Sequence, residues 1–348
     1  MEAVKKQILV VDDNISNLKY ISAQLSDVYR VVMAKSGEQA LKIASKQALD
    51  LVLLDIEMPD MDGFETLKRM RENPEIPKLP VIFLSANNDP ATEVKALSVG
   101  AMDFIAKPFE KSILTHRLEL HLKFHQYQSR LENTVRELED SIVTSFAELI
   151  EARDENTGGH VKRTSVYVDL LGKTLLKWGT FSPELTAGEL DLIVRATPLH
   201  DIGKIGLSDL ILMKKGDLTP EEYGIVKNHT IIGAEVLRAI YESTPTQIYL
   251  RYAILIAEGH HERFDGKGYP HGKKGEGIEL CNRIMSVANV FDSLVTDRVY
   301  RKALSYDEAD RIITGGSGTE FDPRVVEAFK EVRGEFEAVA ERDKRQAL

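Results

Sequence analysis

A single cysteine, Cys281, stands in the 348 residues, so no internal disulfide can form, and no thiolate-rich structural zinc site can be built. No apolar run approaches the roughly 20 residues that a membrane-spanning helix needs. The N-terminus has no succession of basic, apolar and small residues of the secretory kind. The expectation is a cytoplasmic chain without a membrane span. Positive charge is also scarce: 45 Lys and Arg face 55 Asp and Glu, a net charge of -10. That balance leaves no broad basic face for a nucleic-acid duplex and predicts no DNA partner, while allowing a local basic pocket for a phosphorylated ligand. What is present, 43% hydrophobic and 29% charged residues, is ordinary globular material sufficient for two domains.

In the first 125 residues, short apolar runs alternate with amphipathic segments. The runs are QILVV (7 to 11), RVVMA (30 to 34), DLVLLD (50 to 55), PVIFL (80 to 84) and MDFIA (102 to 106), with NLKYISAQL and EQALKIASK showing helical spacing between them. This (βα)5 pattern predicts a doubly wound α/β domain with a five-stranded parallel sheet between helices. Ligands of such sheets sit at the carboxyl ends of the strands. Asp12 and Asp13, Asp55, Ser85, Lys107 and Pro108 stand at those ends. Three carboxylates, a hydroxyl and an ammonium converging there suit Mg²⁺ and phosphoryl transfer to a carboxylate.

The motifs VVDD, LLDIEMPDMDG, LSA and AKPF resemble the receiver domain of two-component response regulators. The resemblance implies a flavodoxin-like fold and a histidine kinase partner. It implies Asp55 as phosphoacceptor, Asp12 and Asp13 as Mg²⁺ ligands, Ser85 and Lys107 as phosphoryl contacts, and Phe104 as the aromatic switch residue.

No Pro or Gly occurs from Lys111 to Arg153. Apolar residues fall at Leu131, Val135, Leu138, Ile142, Phe146 and Leu149, in steps of four, three, four, four and three. A long helix carrying such a stripe predicts a coiled-coil linker over residues 126 to 153 and a homodimer. The doubled step of four is a stutter, where register can shift.

Residues 154 to 348 read as mainly helical. Of the nine histidines five stand out, His160, His200, His229, His260 and His261, and all but His229 lie beside a glycine, an acid or another histidine. Mixed imidazole and carboxylate ligands suit Fe, Mn, Zn or Ni. Asp201 can bridge two such cations, and a pair about 3.5–4 Å apart is the usual clamp for displacement at phosphorus, with water made acidic enough to supply hydroxide near neutral pH. Lys204, shortly after His200, could offset charge on phosphate oxygens. The reaction class this predicts is phosphodiester hydrolysis, with Asp201 and Lys204 as catalytic candidates.

TGGHVKR, LHDIGKIG, KNHTIIG, HHERFDGKGYP and SVANVFDSLVTDRVYR resemble the HD-GYP domain, an all-α branch of the HD phosphohydrolases that degrades cyclic di-GMP to pGpG or GMP. The resemblance implies one metal held by His160, His200 and Asp201, and a second held by Asp201, His229, His260 and His261, with Fe or Mn preferred. It places residue 289 last in the metal set and assigns substrate contact to Asp265, Gly268, Tyr269, Pro270, Arg283 and Arg301. The chain departs from the pattern in carrying Asn289 in place of an aspartate, Asn156 in place of a glutamate and Val299 in place of a proline. An amide oxygen is a weaker donor than a carboxylate. The resemblance therefore predicts a phosphorylation-controlled cyclic di-GMP phosphodiesterase with two metals. Two alternatives stay open: a degenerate sensor that binds metal or nucleotide without efficient turnover, and hydrolysis of a different cyclic nucleotide.

Overall fold

The computed structural model describes residues 5–86, 89–153, 158–214, 216–297 and 302–346. Backbone contacts divide the chain into two units, Met1–Val135 and Arg136–Leu348. Among the described residues no helix is long and apolar enough to cross a membrane.

The first unit alternates strands and helices: β1 (Gln7–Val11), α1 (Ile15–Leu25), β2 (Arg30–Ala34), α2 (Gly37–Ala44), β3 (Leu51–Asp55), α3 (Gly63–Glu72), β4 (Val81–Ser85), α4 (Pro90–Ser98) and β5 (Asp103–Ala106). The strands form one parallel sheet in the order β2-β1-β3-β4-β5, the flavodoxin-like arrangement. β3 and β4 are buried at every position because helices cover both faces. β2, at the edge, stays largely accessible, with only Ala34 buried. Ser36 and Asp62 start α2 and α3 by accepting from the amides of Gln39 and Glu65. The carboxyl ends of β1, β3, β4 and β5 thus open onto one crevice.

Helix α5 (Lys111–Ala152) runs 42 residues without interruption, as its lack of Pro and Gly predicts. Its last turns have two different apolar faces. Ala147 and Ile150 are buried, and Val143 packs on the core of the second unit. Leu131, Val135, Leu138, Ile142, Phe146 and Leu149, the near-heptad stripe, all remain exposed.

The second unit is helical: α6 (His160–Trp178), α7 (Ala187–Ala196), two 3₁₀ turns (Thr197–Leu199 and Ile202–Gly206), α8 (Asp209–Leu212), α9 (Pro220–Lys227), α10 (His229–Ser243), α11 (Tyr249–Gly259), α12 (Leu280–Val295), α13 (Tyr306–Gly315) and α14 (Pro323–Gln346). Gly179, in the left-handed region at φ 66°, ends α6. Capping boxes at Thr219/Glu222 and Ser305/Glu308 start α9 and α13. The core joins α6, α12 and α14 through aromatic rings: Tyr167 stacks on Phe336 at 4.2 Å, and Phe291 meets Phe336 edge-on at 5.1 Å. This packing fixes the helix that begins with His160 against the one that carries Asn289 and Asp292.

Candidate active site

The receiver crevice brings together the residues expected from strand-end position. Lys107 Nζ lies 2.7 Å from Asp12 Oδ2 and 3.0 Å from Asp55 Oδ2. Asp12 Oδ1 also accepts from the Asn14 amide and the Asn17 side chain. Asp12, Asp13 and Asp55 offer oxygens within 4.8 Å of one another, a donor set that fits a hard divalent cation. Ser85 is buried at the end of β4, and Phe104 is buried in the sheet's core.

Burial pushes the Asp55 carboxyl up to about 6, against the opposing pull of Lys107 and with Asp12 adding to the rise. A raised carboxyl favours the protonated fold, so its contribution is complete below the ordinary value of 3.8 and is lost as pH rises through about 6. In Mg²⁺-free buffer the thermal midpoint of the receiver should therefore fall between pH 4 and 6, and Mg²⁺ at pH 7 should recover it. Asp55→Asn should flatten this slope. The same slope in that variant would refute the assignment.

The second site grows from two helix starts and two turns. His200 and Asp201 link the two 3₁₀ turns after α7, α10 begins with His229, and His260 and His261 follow α11. Glycine makes the closest approach possible: a Cβ at Gly203 would sit 1.9 Å from the His229 carbonyl and 2.5 Å from the Gly233 amide nitrogen.

Backbone carbonyls then settle the imidazole tautomers. His200 Nδ1 is 3.0 Å from Thr197 O, His229 Nδ1 is 2.7 Å from Val226 O, and His260 Nδ1 is 2.9 Å from Ile256 O. Each Nδ1 carries the proton that the carbonyl requires, which turns an Nε2 lone pair toward Asp201. His229 Nε2 and His260 Nε2 lie 3.2 and 3.6 Å from Asp201 Oδ1. All three atoms are buried without a hydrogen-bond partner. Acceptors facing one another in a buried space are costly unless a cation sits among them.

The second cluster points the same way. His160 Nε2 and His200 Nε2 are 3.3 Å apart, and His200 Nε2 is 3.4 Å from Asp201 Oδ2. Two nitrogens bound at about 2.1 Å to one cation would be about 3.0 Å apart at a right angle and about 3.4 Å apart at a tetrahedral one. The residues therefore fit two cations that share Asp201, in the grouping His160, His200, Asp201 and the grouping Asp201, His229, His260, His261.

Electrostatics follow from this crowding. Burial works to raise the Asp201 carboxyl, but its surroundings, the Lys204 ammonium foremost, hold it well below the usual carboxylate range. Burial brings His260 down to about 4 and His261 well below its ordinary value, so both imidazoles are neutral at working pH, the form in which a histidine can ligate.

The other expected residues divide by position. Asp201, Lys204, His229, His261, Tyr269 and Asn289 line one cavity of about 610 Å³. Lys204 Nζ is 2.9 Å from Asp201 Oδ2, and the Tyr269 ring stacks on His261 at 4.7 Å. Gly268 gives the loop its close approach, since a Cβ there would meet Arg263 N at 2.3 Å and His261 O at 2.6 Å. Half-buried Pro270 follows Tyr269 in the same loop. Asp265 turns inward on its own loop, accepting from the Lys267 amide and pairing with Arg263. Arg283 is buried against Asp322 at 2.8 Å, its guanidinium over the Phe181 ring and outside the cavity lining. Arg301, Asn156 and Val299 lie outside the described residues.

Asp292 stands three residues after Asn289, but its carboxylate points away from the cluster's shared acid. Its Oδ2 is 2.7 Å from His160 Nδ1, and Arg163 donates to both its oxygens at 2.6 and 2.9 Å. Burial would raise this carboxyl, but Arg163 and His160 hold it down to about 2. Asp292 orients His160 from behind, as outer carboxylates do for metal-binding imidazoles. Arg163 also pairs with Asp343 of α14. Arg163 lies three residues beyond His160 on α6, and that spacing was the available sequence signal.

An acidic crevice with a lysine at the strand ends, followed by a helical unit with five histidines around one carboxylate, is the arrangement of a response regulator with a phosphohydrolase-type effector. Residues 8–119 match the response regulator receiver domain and residues 145–325 the HD domain. The chain is 38% identical over 337 residues to a probable cyclic di-GMP phosphodiesterase of Vibrio cholerae, covering 92% of this chain and 76% of that protein. It is 33% identical over 349 residues to a cyclic di-GMP phosphodiesterase response regulator of Xanthomonas campestris, covering 95% and 89%. A 3'3'-cGAMP-specific phosphodiesterase of Vibrio cholerae is 34% identical over 205 residues, covering 59% and 37%. The chain belongs to the family of HD-domain response regulators.

Proposed function

We propose that this chain hydrolyses cyclic di-GMP, to pGpG or onward to GMP, at the cluster centred on Asp201. The observation that carries this reading is the set of buried, unpartnered acceptors at Asp201, His229 and His260, beside a cavity lined by Lys204 and Tyr269. His160, His200 and Asp201 would hold one divalent transition cation, Fe or Mn before Zn or Ni, and Asp201, His229, His260 and His261 a second. Such a pair supplies Lewis-acid polarisation of a phosphate oxygen and an acidified water. Lys204 offsets charge on the phosphate, and the carbonyl-bound Nδ1 atoms keep the imidazoles from turning.

Asn289 lines the same cavity and supplies a neutral oxygen where a carboxylate would bind more strongly. It favours a second reading, a sensor that binds without efficient turnover. Purified protein loaded with Mn²⁺ or Fe²⁺ under reducing conditions should convert cyclic di-GMP to linear product and contain two metals per chain. Asn289→Asp should raise turnover by about 10-fold and tighten metal binding. No linear product, with one metal or none, would favour the sensor.

The proposed organisation is a receiver over residues 1 to 125, a helical linker over 126 to 153 and the hydrolase over 154 to 348, in a cytoplasmic protein. A histidine kinase would phosphorylate Asp55, with Mg²⁺ held by Asp12 and Asp13, and Ser85 and Lys107 on the phosphoryl group. The exposed stripe on α5, which in the last turns lies away from the packed Val143, Ala147 and Ile150, supports a homodimer of parallel helices. A phosphoryl analogue should change the hydrolysis rate of a dimer. Monomeric mass by sedimentation, or equal rates with and without the analogue, would contradict this control.

A further inference from the structure

The cavity beside the histidine cluster has a wall that the hydrolytic reading leaves unused. Tyr223 lines it from α9, a helix that buries none of its residues. The Tyr223 ring is 47% exposed, so it is not held by core packing. It meets Tyr269 edge-on at 6.5 Å, and Tyr269 in turn lies flat on His261. Lys227, one turn after Tyr223, sets its Nζ 4.6 Å from the Tyr223 centroid and 5.2 Å from that of Tyr269. The start of α9 is held by the Thr219/Glu222 capping box and by Lys214, 2.6 Å from Glu222. A lysine resting on a tyrosine four residues earlier is common on helix surfaces. Here the tyrosine lines a cavity, the ammonium rests against both that ring and the Tyr269 ring, and the rings run on to an imidazole of the cluster.

We infer that Tyr223 is a stacking platform for one purine base of the cyclic dinucleotide, and that Lys227 makes the site prefer guanine. The inference rests on the proposed substrate and names the residues that select it. A base has an apolar face that an exposed ring can cover, and such stacking tolerates any base. Selection comes from the edge. Guanine presents two acceptors, N7 and O6, to an ammonium, whereas adenine replaces one of them with an amino donor. Tyr223 thus binds and Lys227 discriminates.

The test is equilibrium binding of cyclic di-GMP and cyclic di-AMP to the full-length, metal-loaded protein, read as dissociation constants independent of turnover. Tyr223→Ala should weaken cyclic di-GMP binding by about 10-fold, while Tyr223→Phe, which keeps the ring, should stay within about twofold. Lys227→Gln should narrow the preference for the guanine ligand over the adenine one. An unchanged constant in Tyr223→Ala, or an equal loss in Tyr223→Phe, would overturn the platform. Unchanged discrimination in Lys227→Gln would overturn the role of the ammonium. Binding without hydrolysis by the unaltered protein would keep the platform and remove the hydrolytic reading, and no binding at all would remove both.

Discussion

Asp201→Ala protein is expected to fold, to carry at most one metal per chain and to lose cyclic di-GMP hydrolysis by about 10³-fold or more. The size of the effect comes from sharing. Asp201 Oδ1 faces His229 and His260, and Oδ2 faces His200 and Lys204. Removing the one carboxylate strips both cation positions of their only negative donor among the described ligands. The fold should survive, because no core residue is replaced and the imidazoles keep their carbonyl partners. Elemental analysis and a chromatographic product assay check the two halves. Two metals retained with turnover within tenfold of the parent would mean that Asp201 is not the shared ligand.

The second large effect is expected at a residue outside the cation positions. Asp292→Ala leaves Arg163 buried without its main counter-charge and His160 without the partner of Nδ1. Breaking a buried pair from one side typically costs about 3–5 kcal/mol, and loss of an outer carboxylate behind a metal-binding histidine lowers affinity about 10–100-fold. Asp343, which also pairs with Arg163, should keep the stability loss toward the lower figure. Asp292→Asn should separate the two consequences, retaining shape and an acceptor while removing the charge. Urea unfolding of the metal-free protein reads the first effect and a metal titration reads the second. A variant that loses activity but neither stability nor metal affinity would show that Asp292 acts elsewhere.

Much of this molecule is legible one segment at a time. The five apolar runs became the five strands within a residue at either end, because a central parallel strand must be apolar at consecutive positions. The edge strand β2 reads identically in sequence yet stays accessible, because which strand ends the sheet depends on pairing between distant segments. The histidines were legible as a group through the HD and HH pairs, and the structure brings all five around Asp201.

Residues whose surroundings depend on a distant partner were the least legible. Arg283 looks free in sequence, but Asp322, 39 positions later, holds it. Asp292 stands one helical turn from Asn289, a spacing that by itself does not say which imidazole it serves. The start of α6, 132 positions earlier, takes its carboxylate. Tyr223 gave no signal at all, since a surface tyrosine on a short helix becomes notable only when a cavity lies beside it.

The contact at Gly203 has a consequence for the chemistry of the whole centre. There the turn bearing Asp201 rests on bare backbone at the head of α10, with no side chain between them to compress or swing. The span from shared carboxylate to His229 is therefore set by two main chains touching, a spacer of nearly fixed length. Cations of differing radius held there would have to be accommodated by the other imidazoles rather than by this span.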